Sequence, residues 1–204
     1  MKAKIVIATL LGLSGLLTYP AEARNTNAPR ARVVAVAPLV ISSEEAYVLQ
    51  WMREEEKLAR DVYQQLYGQW KYPELLRIAS SEQRHFDALG ARLVQYQLTD
   101  PALSTQGVFS KLELQDLYWQ MITQGSQSYL EALRVGATIE DIDIADLLVA
   151  IDGTNNPDLK RTYTSLLEGS KNHLRAFVGL MRIQGGDYTP SYIDPVLFEA
   201  IVGN

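Results

Sequence analysis

Six side chains in this sequence stand where helices packing into a core want leucine. Along one stretch Leu49, Met52, Glu56, Ala59, Tyr63 and Leu66 recur at spacings of three and four, so a carboxylate sits in the middle of an apolar stripe. A second stripe, Leu75, Ile78, Glu82, His85 and Leu89, puts an acid and an imidazole on one face. A third, Leu133, Gly136, Glu140, Asp143 and Leu147, carries two acids, and a fourth, Tyr163, Leu166, Ser170, His173, Phe177 and Leu180, carries the other histidine. Both histidines of the chain are therefore core-facing. Buried carboxylates cost several kcal/mol each unless a cation compensates them. No Lys or Arg falls on these stripes, although Arg92 lies close to one, so bound metal is the economical answer. Four carboxylates match two divalent ions in charge, and an imidazole for each ion completes a nitrogen and oxygen shell suited to Fe or Mn, with Zn an alternative.

These stripes need helices to carry them, and from residue 43 to about 184 the sequence has helical period and punctuation. Ser42 or Ser43 with Glu44 and Glu45 makes an N-cap for a first helix running to Tyr67 and ending at Gly68. The second spans about 72–97, with Pro73 in its first turn, and Asp100-Pro101 opens a connection. A short helix over 111–123 precedes a long one over 126–151, and the turn cluster at 152–157 leads into the last, which ends near Gln184 before Gly185-Gly186. The tail, 185–204, is expected to be an irregular cover rather than a further helix. Gly136 suits close helix approach, a bend or a simple break. Glu54 and Glu55 fall off the first stripe and read as solvated charges. Trp51, Trp70 and Trp119 read as packing, and Asn172 and Arg175 as surface or interhelix polar contacts.

Composition excludes several classes. A 47% hydrophobic and 21% charged chain of 204 residues has the balance of one globular domain. A net charge of -5 with no dense basic patch argues against nucleic acid. Cysteine is absent, which removes disulfides, thiolate metal sites, iron–sulfur clusters and a lipoprotein anchor. Lys2 and Lys4 before the apolar run Ile5 to Leu17, followed by Ala21-Glu22-Ala23, read as a signal peptide over 1–23 cleaved after Ala23. The run is too short to span a bilayer as a helix, so a periplasmic or secreted protein without a stable membrane anchor is expected. Residues 24–42 read as a flexible leader.

The pattern resembles the ferritin-like diiron-carboxylate proteins, with rubrerythrin-type motifs. In that resemblance Glu56, Ala59 and Tyr63 match a ligand Glu followed by Ala and Tyr, and Glu82-Gln83-Arg84-His85 matches a Glu-x-x-His pair. Glu140-Asp141-Ile142-Asp143 matches a Glu-x-x-Glu pair with Asp in second place. Ser170-Lys171-Asn172-His173 departs from a second Glu-x-x-His, leaving Asp143, a water or a weak subsite to answer for the missing oxygen. The stretches 54–63 and 169–177 look like an uncharacterised ferritin-like family of unknown function. The resemblance implies an all-α, antiparallel four-helix bundle over 43–184, with an extra short helix between its second and third long helices.

It also implies metal ligands Glu56, Glu82, His85, Glu140, Asp143 and His173 around two ions, iron first, with Glu82 and Glu140 bridging. Tyr63, Tyr163 and Ser170 are candidates for the surrounding shell, with core packing the ordinary alternative for the two tyrosines. The implied activity is oxidoreduction of the ferroxidase or of the O2- or peroxide-reducing type. An external electron donor is required, since no cysteine exists to hold a rubredoxin iron. Metal binding or iron sequestration without turnover, and a metal-free helical interaction module, are the alternatives; a homodimer is left open.

Overall fold

The structure, a computed structural model, describes residues 40–203. The expected signal peptide and all of the leader before Val40 lie outside the described residues. Six helices and no strand form among the described residues: α1 (Ser43–Trp70), α2 (Pro73–Gln95), α3 (Leu112–Gly125), α4 (Tyr129–Asp152), α5 (Pro157–Ile183) and α6 (Pro195–Val202). None is long and apolar enough to cross a membrane.

Local chemistry accounts for most of the boundaries. Ser42 and Glu45 form a reciprocal capping box at the start of α1, Ser128 caps α4, and Asn156 caps α5 ahead of Pro157. The first helix does not stop at Gly68. It continues to Trp70, whose indole Nε1 donates to the Gly125 carbonyl at 2.9 Å, and breaks at Lys71 in a left-handed conformation with φ 59°. A tertiary partner thus outweighs the local break signal. The tail also departs from expectation, because Pro195–Val202 is a helix. Asp194 accepts from Val196 N, Pro195 occupies the first turn, and Phe198, Ile201 and Val202 turn inward, an N-terminal signature with its own short apolar face.

The long helices pack as neighbouring antiparallel pairs. Arg60 reaches Gln83 and Gln50 reaches the Thr99 carbonyl, so α1 and α2 run in opposite directions. Gly136 lies against Phe177, while Asp143 meets Ser170, so α4 and α5 do the same. Across the two pairs, Tyr63 contacts Glu140 from α1 to α4, and Arg92 contacts Thr162 from α2 to α5. It follows that α2 and α4 run in the same direction, and residues 96–128, including α3, return the chain to the starting end.

That connection covers the outer face of α1. Arg53 pairs with Asp100 at 2.8 Å, and Lys57 bonds Asp61 at 2.7 Å and the carbonyls of Thr105 and Val108. Asp61 accepts from Gly107 N, and Glu54 accepts from Ser110 N and Oγ. Residues 54, 57 and 61 share one side of the helix, which is why α1 is buried nearly all round. At the other end of the chain, Asp141 accepts from Tyr188 OH and from the backbone N–H groups of Ser191, Tyr192 and Ile193, fixing the segment that leads into α6. Arg175 donates to the Ile201 carbonyl, so this polar residue beside His173 ties α5 to α6. Trp51 is buried and Trp70 half-buried, but Trp119 is 57% exposed, with its ring edge-on to Tyr118, contrary to its expected role.

Candidate metal centre

Four helices bring Glu56 (α1), Glu82 and His85 (α2), Glu140 (α4) and His173 (α5) together in the interior. The acids are at most 1% exposed, and the two imidazoles are slightly more accessible. Glu82 is central. Its Oε2 lies 2.9 Å from His85 Nδ1, and its Oε1 lies 2.6 Å from His173 Nδ1. Glu56 Oε2 flanks His85 at 3.3 Å, and Glu140 Oε2 flanks His173 at 3.5 Å. The two imidazoles stack with centroids 5.5 Å apart. Two three-residue groups result, Glu56–Glu82–His85 and Glu82–Glu140–His173, each with donor atoms within 4.8 Å of one another. One carboxylate serves both.

Packing keeps this arrangement in place. A Cβ on Gly169 would lie 2.5 Å from His85 Cε1 and Nε2, so the bare backbone of α5 makes the room that the imidazole occupies. Gly136 does the same for Phe177, also at 2.5 Å, which decides among its expected roles in favour of close helix approach. Tyr63 OH donates to Glu140 Oε1 at 2.6 Å, and its ring packs on Phe177. Tyr163 stands apart. The groups that act on its buried hydroxyl are Glu45 and Tyr96 rather than the cluster.

Asp143 and Ser170 form a pair beside the two groups. Ser170 Oγ donates to Asp143 Oδ2 and lies 3.1 Å from the Leu166 carbonyl, leaving Asp143 Oδ1 buried without a hydrogen-bond partner. Asp143 is absent from both three-residue groups, although its charge acts on them from nearby. The short serine side chain at the departing motif position therefore orients an acid from α4.

Titration reflects this crowding. Burial works against ionised Glu82, but the imidazoles of His173 and His85 outweigh it and hold the carboxyl down at about 2. Burial also opposes charge on the imidazoles, yet Glu56 and Glu82 raise His85 to about 11, and Glu140 and Glu82 raise His173 to about 10. Burial lifts Glu56 to about 8 against the pull of His85. Burial and the charge of Glu82 lift Glu140 to about 7, and burial with the neighbouring acids pushes Asp143 well up.

The expected solvated charges are not solvated. Glu54 is fully buried beneath residue Ser110, and Glu55 is 7% exposed, facing Asp146 and Asp143 on α4. A single buried face per helix accounts for neither; the polar repeat Glu54, Lys57, Asp61 is the signal in the sequence for a covered second face.

An all-helical domain with carboxylates and imidazoles from four helices at its centre is thus the class that fold and site define. The chain belongs to a family described as an uncharacterised protein domain, DUF2202, whose model matches residues 45–204. It is 47% identical over 165 residues to the uncharacterised protein MJ0754 of Methanocaldococcus jannaschii, covering 80% of this chain and 89% of that protein. The crystal structure of the hypothetical protein MJ0754 from Methanococcus jannaschii superimposes with a TM-score of 0.81 at 46% identity, covering 83% of this chain and 98% of that one.

Proposed function

We propose that this protein is a ferritin-like four-helix bundle that holds two divalent metal ions, iron first, and turns over as an oxidoreductase of the ferroxidase or O2- or peroxide-reducing type. The observation that carries this reading is the placement of Glu82, with its two carboxylate oxygens turned to different imidazoles. In support, Glu56 Oε1 and Asp143 Oδ1 are buried without hydrogen-bond partners, a cost that cations would offset. The donors are oxygen and imidazole nitrogen only, a set that fits Fe, Mn or Zn. The helix directions, with one long crossover between α2 and α4, support the ferritin-like reading.

Glu56, Glu82 and His85 would hold one ion, and Glu82, Glu140 and His173 the other. Glu140 and Asp143 would supply further oxygens. When bound, the ions supply a redox couple able to pass electrons to a small oxidant. Tyr63 keeps Glu140 oriented through its hydroxyl, Ser170 does the same for Asp143, and Gly169 keeps His85 in place. The surrounding apolar side chains exclude bulk water. Electrons come from an external donor, and export is proposed from the amino-terminal pattern, giving a mature protein that begins at Arg24. One observation favours binding without turnover: Ser170 takes the place of a fourth-helix ligand acid and engages Asp143 instead, leaving the site lopsided.

Metal analysis of the purified mature chain tests binding. The expected content is two ions, both lost in Glu82→Ala and both kept in Glu168→Ala, an exposed position paired only with Lys171. No bound or reconstitutable Fe, Mn or Zn would sink the proposal. Anaerobic Fe(II) loading followed by O2 or peroxide with a reductant separates catalysis, which consumes oxidant over many cycles, from sequestration, which stops after one.

A further inference from the structure

Glu55 precedes Glu56 by one residue and so points about 100° away around α1, toward α4 instead of toward the imidazoles. Opposite it stand Asp146 and, one turn earlier on α4, Asp143. No full hydrogen bond satisfies the Glu55 carboxylate oxygens, Asp143 Oδ1 or Asp146 Oδ2, although the Glu55 carboxyl lies close to that of Asp146 and to the Trp51 indole. Neither Glu55 nor Asp146 forms an ion pair with a Lys, Arg or His among the described residues. A small cavity opens alongside. Its polar lining is Glu55, Asp143, Glu82 and Glu140, with Leu114 and Leu117 of α3 among its apolar lining, and neither histidine reaches it. The cavity therefore places Glu55 and Asp143 beside Glu140 and beside Glu82, the carboxylate that both three-residue groups use.

Burial and mutual repulsion push the Glu55 and Asp146 carboxyls up, a cost that a proton shared between them or a bound cation offsets. Two divalent ions balance Glu56, Glu82, Glu140 and Asp143, but Glu55 and Asp146 add two more acids to the same interior. Asp146 is only partly buried, so this corner is where the acids come nearest solvent. The available donors are all carboxylate oxygens, a hard set that suits Mg2+, Mn2+, Ca2+ or Fe2+ and lacks the imidazole that distinguishes the paired groups.

We infer that Glu55 and Asp146, with Asp143 on the inner side, form a third, oxygen-only site for a hard divalent cation, placed on the path by which ions reach the paired centre. The path part of this statement rests on the two-ion reading above; the site itself does not. The cation lies between Glu55 and Asp146, and Asp143, held by Ser170, offers its free oxygen from the cavity side.

Mn2+ is the probe. Equilibrium dialysis or native mass spectrometry of the full mature chain should count one Mn2+ more in the wild type than in Glu55→Gln/Asp146→Asn, with the other two retained. Glu82→Gln should show the reverse, losing the pair and keeping the single ion. Anomalous diffraction from Mn2+-soaked wild-type crystals gives the answer without any variant, as a peak between Glu55 and Asp146. The inference is overturned if the double variant folds, by far-UV circular dichroism, and binds as many Mn2+ as the wild type, or if the wild-type map is empty at that corner. The two-ion reading then stands or falls separately on Glu82→Gln.

Discussion

Glu82 concentrates the energetics of the site in one residue. Without metal, its charge is matched by two imidazolium groups, and burial holds Glu56 largely, and Glu140 in part, as neutral acids near neutrality. His85, His173, Glu56 and Glu140 all have folded-state values above their unfolded ones, so the folded protein binds more protons and loses stability as pH rises. For the acids this loss starts above their unfolded value near 4.5 and runs through about 7 and about 8; for the imidazoles it starts near 6.5 and runs through about 10 and about 11. Glu82, held down at about 2, is lost only in strong acid. The metal-free protein should accordingly melt at higher temperature near pH 5 than near pH 9, to be checked by calorimetry after chelation. Metal ligation needs the same groups deprotonated. Loading at pH 7 should therefore release the two imidazolium protons and part of the acid protons, seen as a buffer-dependent heat in titration calorimetry, and affinity should climb with pH. Proton-free loading would contradict the ligand assignment. Tyr63→Phe removes a 2.6 Å donor to Glu140 and should cost about 1.5–3 kcal/mol in denaturant unfolding, leaving the helical circular dichroism spectrum unchanged.

At the scale of helices, the site depends on how closely α5 approaches α2 and α4. Gly169→Ala would push a methyl group into His85, so the Glu56–Glu82–His85 group should lose affinity while Glu82–Glu140–His173 keeps its ion. Metal stoichiometry with a loss confined to one ion is the expected readout; no change would show that His85 can move freely. The four main stripes are legible in the sequence because an acid amid leucines at helical spacing has few other physical explanations. Glu55 was not, since its burial comes from the α4 acids it faces and not from its own helix. The α6 helix was passed over for a related reason: its eight residues are too few to establish a period, and its apolar face matters only because Asp141 brings the chain back against α4 and α5.

For the whole domain, the long connection between α2 and α4 and the returning tail convert an ordinary helix packing into one with buried faces on nearly every side of α1 and α4. Asp141 is the tail's main anchor, accepting from one phenol and three backbone N–H groups. Asp141→Ala should leave those donors unmatched, destabilise the protein by about 3 kcal/mol or more, and expose residues 188–203 to limited proteolysis; a wild-type cleavage pattern would refute that anchoring. Sequence alone determined the all-helical class, the nitrogen and oxygen character of any metal site and five residues that meet at its centre, because helical period dictates which side chains share a face. Tertiary structure alone decided that Glu82 stands between the imidazoles, that Ser170 engages Asp143, and that Tyr163 lies elsewhere. Those outcomes depend on the rotation and spacing of one helix against another. Those are set by Gly136, Gly169 and the large side chains packed against them, a matter of contact between residues distant along the chain that no single stripe records.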